Sequence, residues 1–254
     1  MSISDTYGQE RLSVFLLSLE NGGGSELSAL GEQAREQGIP VIRRESEVFL
    51  KFLLSLKKPE KILEIGCAVG YSALLMREHG LLGGHKMEIT TIERNPEMIA
   101  KARQNLRRFD PDQRITLLEG DAQDILGQIT GPFDMVFMDA AKGQYIHFLP
   151  RVVQLLSPGG LLLSDNVLQE GDILESHYAV ERRNRTIYHR MRQYLRILHC
   201  LDGTQSVVVP LGDGMMATIV QDPQAALLDL QERLQPLPEA PSEDVLTDRQ
   251  GAAQ

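Results

Sequence analysis

The chain has 254 residues, 42% of them hydrophobic, two cysteines and a formal charge of −9. That composition supports one large α/β domain or two small ones, and two cysteines are too few for a disulfide framework or a zinc cluster. Near the N-terminus Asp5 and Glu10 precede a short Val14–Leu17 apolar run, which matches neither a signal peptide nor a membrane span. A reduced, cytoplasmic protein with no membrane partner is expected. The charge is unevenly placed: from Gln221 to Gln254 seven acids face two arginines, whereas Ala179–Cys200 holds six arginines and one acid. The overall acidity argues against general nucleic-acid binding, but the basic segment leaves room for a localised one.

Residues 1–38 read as peripheral N-terminal helices broken by Gly22-Gly-Gly-Ser25. The main domain is expected over residues 39–221. Ile39-Pro40-Val41-Ile42 is an extended link, because the residue before a proline is driven out of the helical region. Val48, Phe49, Phe52, Leu53 and Leu56 recur at helical spacing and are expected to pack one helix face on the core. Ile62–Ile65 reads as a buried parallel strand that turns through Gly66 and Gly70 into a helix starting at Tyr71. Such a turn lets backbone N–H groups and a helix N-terminus approach a ligand. Its spacing is not the pyrophosphate fingerprint, and Glu64 at the strand end suits a ligand carrying positive charge.

Strands are then expected at Met87–Glu93, Arg114–Leu118, Phe133–Met138 and Gly160–Ser164, the last entered through a Ser157-Pro-Gly-Gly160 turn. Helices alternate with them over Pro96–Arg108 (Asn95 its N-cap), after Gly120-Asp-Ala-Gln-Asp124, and over Gly143–Leu156. This rhythm implies a doubly wound parallel sheet with ligands at the C-terminal ends of the strands. A basic helix follows over about 179–199, its buried stripe formed by Ile187, Met191, Leu195 and Leu198. Arg182, Arg183 and Arg185 lie off that stripe, as either a solvated face or a phosphate-binding one. Gln205–Pro210 and Met215–Val220 close on Leu211-Gly-Asp-Gly214 as an antiparallel hairpin at the sheet edge. Residues 222–254 read as an acidic, flexible tail.

Glu93 at the end of the second strand suits the hydroxyls of a ribose, and with Glu64 and Gly120-Asp121-Ala122 it would border one crevice. Asp139, Asp165 and Asn166 end neighbouring strands and offer oxygen donors to a hard cation; helix capping is the alternative reading. Lys142 is not needed for capping, but beside a metal it would deprotonate a hydroxyl or hold an oxyanion. Cys67 has no histidine partner placed by sequence and reads as a packing residue.

Leu63-Glu-Ile-Gly-Cys-Ala-Val-Gly-Tyr-Ser72, Glu93, Gly120-Asp-Ala-Gln-Asp124, Asp139-Ala-Ala-Lys142 and Asp165-Asn-Val167 together resemble the metal-dependent O-methyltransferases, the group of the catechol and caffeoyl-CoA enzymes. The resemblance spans about Ile39 to Val220. It implies a class I S-adenosylmethionine methyltransferase fold: a Rossmann-like, seven-stranded sheet with helices on both faces and an antiparallel C-terminal hairpin. It further implies that Val41, Glu64, Gly66, Tyr71, Ser72, Glu93, Asp121, Ala122 and Asp139 bind the cofactor. Asp139, Asp165 and Asn166 would hold Mg²⁺ or Mn²⁺, and Lys142 with Asp139 would be catalytic. A homodimer is implied too. Asp-Ala-Ala-Lys-Gly-Gln-Tyr145, the Arg182–Ile187 run and Val-Pro-Leu-Gly-Asp-Gly214 look most like the bacterial tRNA 5-hydroxyuridine methyltransferases. That likeness makes tRNA the expected substrate and Arg182, Arg183 and Arg185 its contacts. A small catechol-like or phenolic substrate is the alternative, and a non-catalytic nucleotide- or RNA-binding protein of this fold a further one.

Overall fold

Five strands, β1 (Lys61–Ile65), β2 (Glu88–Glu93), β3 (Ile115–Glu119), β4 (Phe133–Met138) and β5 (Leu156–Ser164), run parallel. Two more, β6 (Thr204–Val209) and β7 (Met215–Val220), join them antiparallel, giving one seven-stranded sheet in the order β3-β2-β1-β4-β5-β7-β6. This is the fold class expected from the alternation of elements. It comes from a computed structural model that describes residues 25–234 together with Val14, Phe15, Ser18 and Leu19. The remainder of the expected N-terminal helices, Gly22–Gly24 and the tail beyond 234 lie outside the described residues.

The helices are α1 (Glu26–Glu36), α2 (Arg44–Lys57), α3 (Tyr71–Leu82), α4 (Pro96–Phe109), α5 (Ala122–Leu126), α6 (Tyr145–Leu155), α7 (Arg185–Cys200) and α8 (Pro223–Arg233). One apolar core gathers Leu50, Leu54, Leu74, Met76 and Phe137 on one face of the sheet, and a second gathers Tyr145, Leu149, Met191, Tyr194 and Leu230 on the other. A sheet covered on both faces needs largely apolar central strands, as Ile62, Leu63, Ile65, Met135, Val136 and Phe137 show, with Glu64 the buried exception in β1. Connections run outward from β1 to β2 and β3 on one side, and from β4 to β5 on the other. The switch between β1 and β4 opens a crevice at their C-terminal ends. No helix among the described residues is long and apolar enough to cross a membrane.

β4 and β7 fall where the sequence places them, and Asn95 caps α4 by accepting from the Glu97 and Met98 amides. Four expectations are corrected. Ser157–Gly160 is part of β5: Phe133 pairs with Leu156 and Met135 with Leu161, so the extra residues bulge out of a continuous strand. On α2 the buried residues are Ser46, Glu47, Leu50 and Leu54, while Val48, Phe52 and Leu56 are exposed. That helix is apolar around most of its circumference, so periodicity does not choose its inward face. Arg35 on α1 does, by drawing Glu47 inward. α7 begins at Arg185, with residues 179–184 in turns before it. Its buried stripe is Tyr188, Met191, Tyr194, Ile197 and Leu198; Ile187 is exposed and Leu195 half-buried. The tyrosines take the inner positions because their hydroxyls find partners, Tyr194 with Ser164 and Tyr188 with the Glu175 carbonyl.

The fourth correction concerns the start of the acidic tail. Residues 223–233 form α8, capped by Asp222 and packed on α6 through Ala226 and Leu230. Leu230→Ala should cost ~2–5 kcal/mol of stability in urea unfolding. Leu228→Ala, on the exposed face of the same helix, should change it by less than ~0.5 kcal/mol. Equal effects would show that α8 is not docked.

Candidate active site

The crevice above β1 and β4 holds a cavity of about 540 Å³. Its floor is made by a close crossing of the two strand ends. Gly66 sits at φ +100°, and a β-carbon there would stand 2.0 Å from the Asp139 carbonyl oxygen. Nothing larger than glycine fits. The Cys67–Gly70 turn folds over this point, closed by a 2.8 Å bond from the Gly70 amide to the Cys67 carbonyl. Cys67 is buried in it, and burial pushes its thiol well above the usual range, as a packing residue should behave.

Glu93 braces the same turn from across the crevice. Its carboxylate accepts from the amides of Ala68 (2.8 Å), Arg94 (2.9 Å) and Asn95 (2.8 Å). Farther along the cavity wall, Asp121 caps α5 by accepting from the Gln123 amide and pairs with Arg94 at 3.1 Å. The Gln123 amide and Arg94 hold its carboxyl below the usual range. Ala122 lines the cavity beside it. The opposite wall is the Pro40–Arg43 segment, including Val41. Arg35 fastens that segment by donating to the Ile42 carbonyl at 3.0 Å while paired with Glu47.

Two of the expected cofactor residues lie elsewhere than the sequence implies. Tyr71 turns away from the cavity into the Arg35–Glu47 pair, with the Arg35 guanidinium 5.5 Å from its ring centre. Glu64 lies one layer below the cavity surface, fully buried, accepting from the Thr91 hydroxyl. Its Oε1 has no hydrogen-bond partner among the described residues. Burial pushes its pKa up to about 7, although the neighbouring Ser72 and Thr91 hydroxyls pull the other way.

At the far end Asp139, Asp165 and Asn166 come together as expected. Asn166 is at φ +58°, and its Nδ2 donates to Asp139 Oδ1 at 3.1 Å while its backbone amide donates to Asp165 Oδ1 at 2.8 Å. Asp165 is 1% exposed, and its Oδ2 has no partner among the described residues. Burial raises the pKa of both carboxyls; that of Asp165 reaches about 7, with the Asp139 charge adding to the effect. Among the described residues no three His, Cys, Asp or Glu side chains form a metal-binding group; the other oxygen-bearing side chain beside these two carboxylates is the Asn166 amide.

Two residues of this cluster were not singled out from the sequence. Asp213, 4% exposed, accepts from Lys142 Nζ at 3.0 Å and from the Glu170 amide. Its turn is pressed against Leu168, where a β-carbon on Gly214 would stand 2.3 Å from Leu168 Cγ. The available signal was topological: a hairpin pairing with β5 must bring its turn to the end of β5 that carries Asp165. The second is Arg43, which lines the cavity and whose charge acts on Asp165.

Arg182, Arg183 and Arg185 do not line this cavity. Arg182 and Arg183 are exposed ahead of α7, Arg183 is paired with Glu181, and Arg185 donates to the Val180 carbonyl. The α7 residue that reaches the Lys142 loop is Arg190, donating to the Gly143 carbonyl at 3.1 Å.

Residues 26–220 match the family model described as O-methyltransferase. Catechol O-methyltransferase of Niastella koreensis is 32% identical over 157 residues, covering 59% of this chain and 70% of that protein. O-methyltransferase ankF of Aspergillus thermomutatus is 37% identical over 125 residues, 47% of this chain, and the chain spans about half (51%) of its length. Among solved structures, SAH-bound PaMTH1 of Podospora anserina superposes with a TM-score of 0.75 at 26% identity, covering 87% of this chain and 98% of that one.

An acid whose folded pKa lies above its unfolded one favours folding at low pH and loses that advantage as pH rises to the folded value. Asp165, raised from 3.8 to about 7, is such a group. In metal-free buffer Asp165→Asn should therefore gain stability over wild type progressively from pH 4 to pH 7, by up to ~4 kcal/mol, and level off above. Denaturant unfolding at pH 4.5 and pH 8 measures this; the same difference at both would contradict a buried, repelled carboxylate.

Proposed function

The chain belongs to the O-methyltransferase family, and on that basis we propose that it is an S-adenosylmethionine-dependent enzyme converting 5-hydroxyuridine at the tRNA wobble position to 5-methoxyuridine. The observation that carries the reading is that Asp139, Lys142, Asn166 and Asp213 line the same cavity as Glu93, Asp121 and Ala122, with the buried Asp165 held directly behind Asn166. S-adenosylmethionine supplies an electrophilic methyl group when bound. Glu93 then faces the ribose hydroxyls, already aligned by the three amides it accepts from. Ala122 and Asp121 flank the adenine, and Val41 covers the opposite side. Gly66 leaves room for the methionine part, and Ser72 borders it. The uncompensated Oε1 of Glu64 places negative charge beneath the positively charged end of the cofactor.

Asp139, Asp165 and Asn166 fit Mg²⁺ or Mn²⁺. They are oxygen donors, Asp165 Oδ2 is unpartnered among the described residues, and a half-turn of the Asn166 amide exchanges its nitrogen for its oxygen. A cation held by these residues would supply Lewis acidity that favours the oxyanion of a substrate hydroxyl, as on 5-hydroxyuracil or a catechol. Lys142, fixed by Asp213, is an ammonium donor placed to hold that oxyanion in line with the methyl group.

A small catechol-like or phenolic substrate is the second reading. It is favoured by the relatives named for catechol and by the lining of the cavity, which includes none of Arg182, Arg183 and Arg185. A cytoplasmic homodimer belongs to either reading, and the exposed Val48, Phe52 and Leu56 face of α2 is the surface proposed to meet the second copy.

Nucleoside mass spectrometry of tRNA from cells with and without the gene tests the first reading, which predicts loss of 5-methoxyuridine. Unchanged tRNA together with fast methylation of free catechol would replace it by the second. On whichever substrate turns over, Lys142→Ala should lower kcat by ~10²–10⁴-fold and leave the calorimetric affinity for S-adenosylhomocysteine unchanged. Glu93→Ala should instead weaken that affinity by ~1–3 kcal/mol. Chelator should abolish turnover, and full activity in its presence would remove the metal from the scheme.

A further inference from the structure

Away from the cavity, a shallow groove of about 740 Å³ runs along the outer side of α7 from His177 to Arg233 at the end of α8. Arg192, Arg196, Arg233, His177 and His189 line it, and among the described residues no carboxylate does. The chain as a whole carries a formal charge of −9.

Two of its arginines have no acid partner among the described residues. Arg192 lies 5.3 Å from the Tyr188 ring centre and donates to the Tyr188 hydroxyl (3.0 Å) and the Ile173 carbonyl (2.9 Å), so it is positioned without an acid. Arg196 has no carboxylate partner among the described residues, whereas Arg233 shares its charge with Asp229 at 2.7 Å. His177 and His189 approach nitrogen to nitrogen at 2.9 Å. Beside them Tyr178 is 88% exposed, its ring edge-on to His177 at 5.4 Å. Arg192 ties the groove to a turn that also borders the cavity. The Ile173 carbonyl that Arg192 binds belongs to the Gln169–Leu174 turn, and Glu170 of that turn lines the catalytic cavity.

We infer that this groove binds the sugar–phosphate backbone of RNA flanking the nucleotide in the active site, with Tyr178 stacking on an unpaired base. The inference rests on the tRNA reading above and assigns the RNA contacts to a surface other than Arg182, Arg183 and Arg185. Guanidinium groups without acid partners match phosphate oxygens in fork geometry. A solvent-facing aromatic ring beside a basic track is the combination that holds single-stranded loops, because every base has a face to stack. An acidic peptide would use the arginines but not the tyrosine.

The test uses the full chain and a fluorescein-labelled anticodon stem-loop, with affinity read by anisotropy at several salt concentrations. Arg196→Glu and Tyr178→Ala should each weaken binding, together by tenfold or more. The arginine change should also flatten the log–log salt dependence by ~0.7 for each phosphate it leaves unneutralised. Unaltered affinity for S-adenosylhomocysteine establishes that the variants are folded. If wild type methylates tRNA and both variants bind the stem-loop as wild type does, the groove assignment alone is overturned. If wild type neither binds the stem-loop nor methylates tRNA, the tRNA reading falls with it. Equal binding of polyglutamate, insensitive to Tyr178→Ala, would make the groove an acidic-protein surface and overturn the RNA assignment.

Discussion

Where β1 and β4 end, the Gly66 backbone passes so near Asp139 that a side chain would penetrate the carbonyl group. This close approach depends on one glycine at positive φ, and much of the site follows from it. The Asp139 amide is tied to the Ile65 carbonyl at 2.9 Å and the Asp165 amide to the Met138 carbonyl at 3.0 Å, so three successive strand ends are in fixed register. The Asp139 and Asp165 side chains then meet over the sheet. The Cys67–Gly70 turn rises on the other side of the same crossing and receives Glu93. One backbone approach thereby sets both ends of the cavity.

The second constraint is electrostatic. Glu64, Asp165 and Asp213 are withdrawn from water beside the half-buried Asp139, where the cavity wall supplies Lys142 and Arg43 as nearby cations. Burying carboxylates that repel one another costs stability. The cost appears as the raised pKa values of Glu64, Asp139 and Asp165. A region of this kind gains most from ligands that bring positive charge. Asn166, Gln169 and Glu170 also hold positive φ without being glycines, so backbone strain gathers in the same wall.

The wall is held from outside by packing rather than by charge alone. The β6–β7 turn presses Asp213 onto Lys142, while α7 carries Arg190 to the Gly143 carbonyl and Arg192 to the Ile173 carbonyl. The element that braces the Lys142 end of the cavity thus also bears the basic outer groove.

The parallel sheet, its C-terminal hairpin and the meeting of Asp139, Asp165 and Asn166 were legible in the order of residues alone. Each of these follows from local signals: apolar runs of strand length, glycine-rich turns, and polar residues placed at strand ends. The inward sides of α2 and α7 were not legible, because both helices carry apolar residues around more than one stripe. A partner chooses between stripes, Arg35 for Glu47 in one case and Ser164 for Tyr194 in the other. The turning of Tyr71 away from the cavity, the hold of Asp213 on Lys142 and the docking of residues 223–233 as a helix were equally hidden. Those outcomes depend on pairings between segments distant in the chain, such as Lys142 with Asp213, which are settled only when the sheet brings them together.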